Sequence, residues 1–284
     1  MLLQQLLNGV VLSGMYALIA LGFTMMFGIA GIGNFAHGAV LMWAAYLVTV
    51  AVAMQLNFFL AVVLVAVVVG FFGLVSERVV FEPVLKRPMA HTFLVSVGLM
   101  FVLNNLILVV FGAQVKSIPS PVSGVVQAAG LILSWQRIMV LAITILLILA
   151  LYLFLQYTRI GRAIRAVSQD VDGALVVGVN LRQVNGAIFL ISAALAGVSG
   201  ALYGSMFGVE PNMGFLPLIK AFAIVVVGGL GSVPGAVVGA LVIGLSEALA
   251  VAYLPSGAYA QAFGFVFMIV ILLVRPSGLL GQRD

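Results

Sequence analysis

The sequence predicts an all-α fold, a polytopic transmembrane helical bundle with about eight to nine membrane segments. Hydrophobic residues make up 64% of the 284 positions and charged residues only 7%, whereas about a quarter of a typical soluble domain is charged. So few charges cannot cover a surface that faces water, which points to lipid as the surroundings of the chain. Apolar runs recur along the whole length, residues 1–284, and predict a single transmembrane domain.

The apolar runs locate the membrane segments, since a spanning helix needs about 20 apolar residues. They cover residues 6–29, 36–54, 58–76, 91–111, 137–157, 185–207, 216–229, 235–253 and 259–274. All are expected to be full spans except 216–229, which is short and crosses either partway or completely. The first run has no basic residue before it and is long enough to span, which predicts a retained helix rather than a signal peptide.

Lysine and arginine residues predict the orientation, because cytoplasmic loops carry an excess of both. The basic groups between or after the runs are Lys86 with Arg87, then Arg159, Arg162, Arg165 and Arg182, and finally Arg275 with Arg283. All of them fall in the cytoplasm only if 216–229 crosses the membrane, so we predict a crossing, with the N-terminus outside and the C-terminus inside. The Pro/Ser/Gly-rich segment 112–136, flanked by Lys116 and Arg137, is then an external loop on the membrane surface.

Composition and motifs exclude several function classes. The chain has no cysteine, which rules out disulfides, thiol nucleophiles and cysteine-ligated metals. Its two histidines, His37 and His91, are too far apart in sequence to suggest a metal site. The net charge of +5 follows from the basic loops, and no basic patch with interleaved aromatics suggests nucleic-acid binding. Without paired carboxylates, a Ser-His-Asp set or a Walker A pattern, we expect neither an enzyme nor an ATPase.

A weak internal repeat links two glycine-rich turns. Gly31-Ile32-Gly33-Asn34-Phe35-Ala36 resembles Gly229-Leu230-Gly231-Ser232-Val233-Pro234, and each follows one apolar segment and opens another. Transporters often build their pathway between such repeats with interrupted helices, although membrane helices are rich in glycine generally. The candidate pathway or helix-break residues here are Asn34, His37, Gly38, Gly231 and Pro234. Asn34 suits the cap of the following helix, and His37 is interpreted as a structural residue rather than a proton relay.

Two charged residues, Lys220 and Glu247, fall within apolar runs. Charges inside a membrane are costly and usually functional, which makes both of them candidate pathway residues. The favoured alternative for Glu247 is an interfacial position that reaches water near the outer surface. For Lys220 the favoured alternative is a headgroup anchor, and the other is attraction of a substrate carboxylate.

The longest polar stretch, about residues 158–184, predicts two short helices. The first is indicated by residues that recur at helical spacing, Arg162, Arg165 and Gln169. Asp170 suits the start of a second helix over 173–177, and Gly178 suits its end. Two interpretations are open: a rigid docking element for a separate motor subunit, or an ordinary connection with basic anchors beside the headgroups.

Motifs along essentially the whole chain, in the expected order, resemble one family of transport proteins. They are Asn8–Val10, Tyr16–Gly22, Gly31–Gly38, Gly161–Ala166, Asp170–Gly178, Lys220–Phe222, Val227–Ala236 and Pro276–Gly281. The most specific of them is Gly31–Gly38. In these motifs the chain resembles the permease subunits of hydrophobic amino acid uptake ABC transporters, the Liv-type branched-chain amino acid importers.

The resemblance implies the membrane-spanning permease of an ATP-binding-cassette importer for branched-chain amino acids, working by alternating access. Its partners would be a second homologous permease, two cytoplasmic ATP-binding subunits, a substrate-binding protein and membrane lipid, in a bacterial or archaeal plasma membrane. The chain itself would bind no cofactor, and ATP would be used by the partner subunits. The residues expected in the loop that docks the ATPase are Arg162, Arg165, Asp170, Gly173 and Gly178.

Three alternatives remain at this point. The same type of complex imports urea, short amides or aromatic acids in some members of the family. A self-contained channel is suggested by a loose likeness of Asn34-Phe35-Ala36 to the capping tripeptides of water and glycerol channels, but Ser232-Val233-Pro234 departs from that pattern. No run offers the buried arginine that such pores need. An ion-coupled transporter would want several carboxylates inside the membrane, and this chain offers only Glu247.

Overall fold

The computed structural model describes residues 2–85, 87–128, 130–253 and 257–281, so Lys86 and Arg283 fall outside the described residues. The helices are α1 (Leu2–Phe23), α2 (Ala36–Ala53), α3 (Phe58–Ser76), α4 (Met89–Phe111), α5 (Trp135–Tyr157), α6 (Arg159–Gln169), α7 (Val171–Val176), α8 (Leu181–Phe207), α9 (Phe215–Gly228), α10 (Val233–Tyr253) and α11 (Gly257–Val274). Each predicted apolar run overlaps one of these helices along most of its length. The all-α transmembrane bundle is therefore confirmed.

Two of the helices continue in turns of different width. α1 runs on through a π-helical segment, Thr24–Ile29, and α3 runs on through the π-helical segment Glu77–Phe81 and the 3-10 turn Glu82–Val84. With these turns included, seven helices of the described residues are long and apolar enough to cross a membrane. α9 has only 14 residues, and the apolar stretch Gln261–Val274 of α11 is also short. A full crossing by the last run stays a prediction.

The segment predicted as an irregular external loop contains a small antiparallel hairpin. Strand β1 (Val125–Ala128) pairs with strand β2 (Leu131–Ser134). The Gln4 side chain fixes the hairpin to the start of α1, because it donates to the Ile132 carbonyl over 2.8 Å and accepts from the Ile132 N–H over 2.9 Å. Strands of four residues are too short to give a readable alternation of apolar and polar positions, so the sequence did not predict them.

Small residues bring the central helices into close contact. A Cβ added to Gly244 of α10 would lie 2.8 Å from the Ser13 Cα of α1, and one added to Gly73 of α3 would lie 2.5 Å from the Ala193 Cβ of α8. Such small faces let helices in a membrane approach closely. α4 and α5 lie outside this centre and expose apolar side chains such as Val109, which is 82% exposed. In a membrane these side chains face lipid.

Contacts between the segments that connect the helices show which of these segments lie at the same end of the bundle. At one end the Leu279 N–H donates to the Val227 carbonyl over 2.8 Å, and Arg182 lies 3.0 Å from Glu82. At the other end Lys116 pairs with Val209 through the backbone. The basic residues Arg87, Arg159, Arg162, Arg165, Arg182 and Arg275 belong to the connections of the first end, whereas Lys116 and Arg137 belong to the other. This arrangement is the one the sequence predicts, with the end of α9 on the same side as the other basic connections.

Candidate functional site

The turn between α1 and α2 returns into the bundle before α2 begins. A Cβ added to Gly22 of α1 would lie 2.8 Å from His37 Cε1, so the start of α2 lies beside Gly22. α1 and its π-helical turn continue from Gly22 to Ile29, roughly 10 Å at 1.5 Å per residue. α2 therefore starts inside the bundle. Asn34 caps it as predicted, because its Oδ1 accepts from the Ala36 N–H over 3.0 Å.

His37 lies at this interrupted junction and is buried, with 1% exposure. Its Nδ1 is 3.5 Å from Ser192 Oγ, and that hydroxyl donates to the Gly22 carbonyl over 2.5 Å. Its Nε2 has no hydrogen-bond partner among the described residues. These contacts join α1, α2 and α8, which favours the structural interpretation of His37. A pathway role for His37 and Asn34 stays a prediction.

The connection between α8 and α9 also enters the bundle. Val209 lies at the level of Ala45, since both contact the position of a Cβ added to Gly204. The Asn212 N–H then approaches Met42 Sδ at 3.2 Å. Gly214 reaches Gly38, where the two backbones touch so closely that a Cβ on either glycine would overlap the other residue. This contact gives Gly38 a physical role that its motif did not reveal.

Because 208–214 descends along α2, α9 starts in the interior. Its 14 residues cover roughly 21 Å at 1.5 Å per residue, less than the roughly 30 Å hydrocarbon core. The short run 216–229 is therefore a helix that covers part of the thickness, and the irregular 208–214 covers much of the rest. Its far end still reaches the end of the bundle that holds the basic connections.

Lys220 and Glu247 form a buried ion pair. Lys220 Nζ lies 2.6 Å from Glu247 Oε2, and each residue is only 4% exposed. The Tyr16 hydroxyl donates to the same Oε2 over 2.8 Å and accepts from Lys220 Nζ over 2.6 Å. The cluster joins α1, α9 and α10. Glu247 Oε1 has no hydrogen-bond partner among the described residues, and a Cβ added to Gly264 of α11 would lie 2.8 Å from it.

This geometry corrects the favoured interpretations of both charges. Glu247 is not an interfacial carboxylate that reaches water, and Lys220 is not a headgroup anchor, because neither side chain reaches the surface of the bundle. Each charge offsets the cost of burying the other, and an unpaired charge at this depth would be strongly unfavourable. Tyr16 completes the cluster and was missed, since one tyrosine in an apolar run gives no signal for a partner 204 positions away.

The second glycine-rich turn opens α10. Ser232 Oγ accepts from the Gly235 N–H over 3.0 Å, and Pro234 is the second residue of the helix, where its missing N–H costs no hydrogen bond. Gly231 has φ +79° and packs on the π-helical turn that precedes the first repeat unit, since a Cβ added to Gly28 would lie 2.5 Å from the Gly231 nitrogen. Gly231 and Pro234 therefore lie at the start of α10, and a pathway role for them stays a prediction.

The polar stretch after α5 forms the two predicted helices. Thr158 Oγ1 accepts from the Gly161 N–H over 2.9 Å and opens α6. Asp170 Oδ1 accepts from the Asp172 N–H over 3.0 Å and opens α7, which begins at Val171 rather than at residue 173. Gly178, with φ +83°, ends it. Each helix boundary thus has a local cause in the sequence.

The two sides of this α6–α7 loop differ sharply. Ile164, Val167 and Ala174 are buried against the bundle. The tip exposes apolar side chains instead, with Val176 88% and Val177 77% exposed. Exposed apolar groups at a loop tip mark a surface that another protein can cover. Arg162, Asp170 and Gly178 lie on or beside the exposed part of the loop.

Toward the bundle, α6 borders a cavity of about 350 Å³. Arg165 contributes from α6, Gly28 from the π-helical turn after α1, and Gly231 with Pro234 from the start of α10. The structure therefore brings Arg165 close to Gly231 and Pro234 of the second repeat unit and to Gly28, which precedes the first unit, but not to Asn34, His37 or Gly38. It does not bring Arg165 or Asp170 near the Lys220–Glu247 pair, which lies deeper between α1, α9 and α10.

Interrupted helices that start inside a multi-pass bundle, a buried ion pair between them, and a capped helical loop at one end define a membrane permease. The chain belongs to the family described as branched-chain amino acid transport system / permease component, which it matches over residues 5–274. This is the Liv-type ABC permease family that the motifs predicted, so the protein is a multi-pass membrane transport subunit and not itself an enzyme.

Individual relatives cover nearly the whole chain. The high-affinity branched-chain amino acid transport system permease protein LivH of Salmonella typhimurium is 37% identical, over 99% of this chain and 96% of its own length. The corresponding protein BraD of Pseudomonas aeruginosa is 35% identical over the same shares. A shorter likeness joins the chain to LivM of Escherichia coli, named as a permease protein of the same kind of system, with 31% identity over 51% of this chain and 35% of LivM.

Proposed function

We propose that this chain is the membrane-spanning permease subunit of an importer that moves branched-chain amino acids across the plasma membrane of a bacterium or archaeon. One observation supports branched-chain amino acids as the substrate class. Relatives that align over 99% of the chain are both named as high-affinity branched-chain amino acid permeases. The described part of the bundle, charge-poor and apolar, suits a small zwitterion with a hydrophobic side chain.

The proposed complex contains a second permease, two cytoplasmic ATP-binding subunits and a substrate-binding protein on the outer side. The likeness of this chain to LivM, over 51% of its length, supports pairing with a related permease rather than with an unrelated subunit. ATP is used by the partner subunits, because this sequence has no Walker A pattern. No cofactor is assigned to the chain itself.

The α6–α7 loop is the proposed docking element for an ATP-binding subunit. Its exposed apolar tip, Val176 and Val177, suits a groove on a partner. The cap at Asp170 and the turn at Gly178 hold that tip in one conformation. Movement of α6 by the partner would act directly on the junction of Gly28 and Gly231, because α6 borders it. In this scheme the substrate passes between the two permeases.

Transport by the reconstituted complex tests the proposal. The tagged chain is purified with its bound subunits and placed in liposomes that contain ATP, with the binding protein outside. We expect uptake of labelled leucine that requires ATP and is competed by isoleucine and valine but not by urea. Uptake that urea alone competes would contradict the substrate class. Passage of solute without ATP would contradict the ABC permease role and favour a channel.

A further inference from the structure

The cavity behind α6 has one strongly polar wall. Arg165, Ser168 and Gln169 face it from α6, and Gln156 faces it from the end of α5. Its volume of about 350 Å³ exceeds what one or two waters need. The cavity lies at the end of the bundle that holds the basic connections, so in the predicted orientation it opens at the level of the inner-leaflet headgroups.

Arg165 lacks a counter-ion in the described part of the chain. Its Nη1 donates to Gln156 Oε1 over 2.6 Å and its Nη2 to the Gln156 carbonyl over 3.3 Å. Its Nε is buried and has no hydrogen-bond partner among the described residues. A guanidinium carries five N–H donors, and the cavity lining contains no acidic side chain. The enclosed Nε–H does not reach the cavity, but the Nη hydrogens that Gln156 does not accept and the positive charge remain available for an anion.

A second positive feature faces the same space. The opposite wall is the start of α10, from Gly231 to Pro234, and α10 is a helix of 21 residues. The N-terminal end of a helix carries partial positive charge and attracts phosphate or carboxylate groups. Arg165 and this helix end thus line one cavity and both attract an anion bound in it. Neither feature alone would specify a site, but together they enclose one.

The remaining wall of the cavity is apolar, and this favours a phospholipid over a free anion as the ligand. Tyr152 and Leu155 of α5 and Leu280 near the C-terminus line it. Tyr152 is 51% exposed on a helix whose outer face is largely apolar, and tyrosines are enriched where the hydrocarbon meets the headgroups. A free phosphate would leave this wall in water, whereas a phospholipid covers it with its glycerol and upper acyl chain.

We propose that this cavity binds the phosphate headgroup of an anionic phospholipid from the inner leaflet. Arg165 binds the phosphate, the partial positive charge at the start of α10 attracts it, and the acyl chains leave along the exposed face of α5. Because the lipid contacts α6 and the start of α10 together, it holds the α6–α7 loop against the contact between Gly28 and Gly231. The site belongs to the chain itself and does not depend on which amino acid is transported.

Lipid binding is measured on the full chain, purified with its bound subunits and stripped of native lipid. Phosphatidylglycerol, phosphatidylcholine and inorganic phosphate are titrated separately, with retained lipid read by native mass spectrometry and stability read by the melting temperature. We expect phosphatidylglycerol to bind and to raise the melting temperature. Arg165→Gln should weaken this binding on the order of tenfold, since it removes a charge-assisted contact, and Arg165→Lys should lose less.

Two further variants separate the site from general effects. Arg159→Gln removes an exposed arginine of the same helix that does not line the cavity, and it should bind phosphatidylglycerol like the unaltered chain. Gln169→Trp fills the cavity from an exposed position without altering Arg165, and it should also weaken binding. The proposal is overturned if both cavity variants bind phosphatidylglycerol with unchanged affinity. Equal binding of inorganic phosphate would overturn the lipid as the source of the anion.

Discussion

At the scale of single residues, the most consequential feature is the cluster of Lys220, Glu247 and Tyr16. It is buried between three helices, and its ion pair is joined by a 2.6 Å contact. Breaking such a pair by removing one partner leaves an uncompensated charge, whereas replacing both partners by apolar residues is often nearly neutral. The cluster therefore predicts strong non-additivity between substitutions at its two charged positions.

Glu247→Leu should destabilise the folded chain by about 3–5 kcal/mol, because the Lys220 ammonium then stays buried without a partner. Adding Lys220→Met to that variant should restore much of the loss. Melting curves of the purified single and double variants in detergent measure the coupling. Glu210→Gln, an exposed carboxylate, is the control and should change little. Equal melting temperatures for the Glu247→Leu variant and the double variant would contradict the predicted coupling.

Sequence reasoning marked both charges but not their partnership. Each one lies in an apolar run, which made Lys220 and Glu247 candidate pathway residues, yet the anchor and interfacial interpretations were wrong, because both side chains are buried in the bundle. The reason is physical: partners that are 27 and 204 residues apart meet only after the helices have packed. Periodicity and composition describe one helix at a time and contain no information on such a meeting.

The contact between the backbones of Gly38 and Gly214 likewise could not be predicted from the sequence, because the two glycines meet only after the helices have packed. Gly38→Val should strongly lower the yield of folded protein, because its Cβ would overlap the backbone of Gly214 and neither chain segment can move without opening the bundle. Gly98→Val is the matched control, since a Cβ there meets open space on the exposed face of α4. Monodisperse protein recovered after detergent extraction compares the two. Equal recovery of the two variants would show that the backbones at Gly38 and Gly214 can move apart without loss of folded protein.

At the scale of elements, α6 and α7 were predicted well because their signals are local. Asp170 and Gly178 act within a few positions of themselves, and the residues on the polar side of α6 follow one helical period. Helix boundaries in the apolar runs were likewise within a few residues of the prediction. The β1–β2 hairpin was missed because its strands are too short to show an alternation of apolar and polar positions. The entry of 208–214 into the bundle was not predicted because it depends on contacts with the distant helix α2.

Gly173→Trp tests the docking loop as an element. A Cβ at this position already lies 2.6 Å from the Asp170 carboxylate, so the indole would displace the cap that opens α7. We expect the assembled complex to hydrolyse ATP without driving uptake, while membrane insertion of the chain stays normal. Val109→Trp on the lipid-facing side of α4, a position that is 82% exposed, should leave both activities unchanged. Normal uptake by the Gly173→Trp variant would contradict a role of the α6–α7 loop in coupling ATP hydrolysis to uptake.

At the scale of the whole molecule, the main prediction is assembly. Tagged chain extracted from its native membrane should bring down a second, related permease and cytoplasmic ATP-binding subunits, identified by mass spectrometry. The physical basis is the exposed apolar tip of the α6–α7 loop together with the likeness to two different permease proteins, LivH and LivM, that are named for the same kind of transport system. Recovery of the chain alone, still able to pass solute in liposomes without ATP, would contradict this.

The descent of 208–214 into the bundle has one further consequence. Hydrocarbon cannot hydrogen-bond to free backbone groups, so irregular chain at membrane depth persists only where protein or water lies against it. Phe207 and Phe215, at the two ends of this segment, are 56% and 54% exposed. For a chain built in this way, insertion into the bilayer does not complete folding. The backbone groups of this segment must first find partners inside the protein, as Val209 does with Lys116, before the segment is stable at this depth.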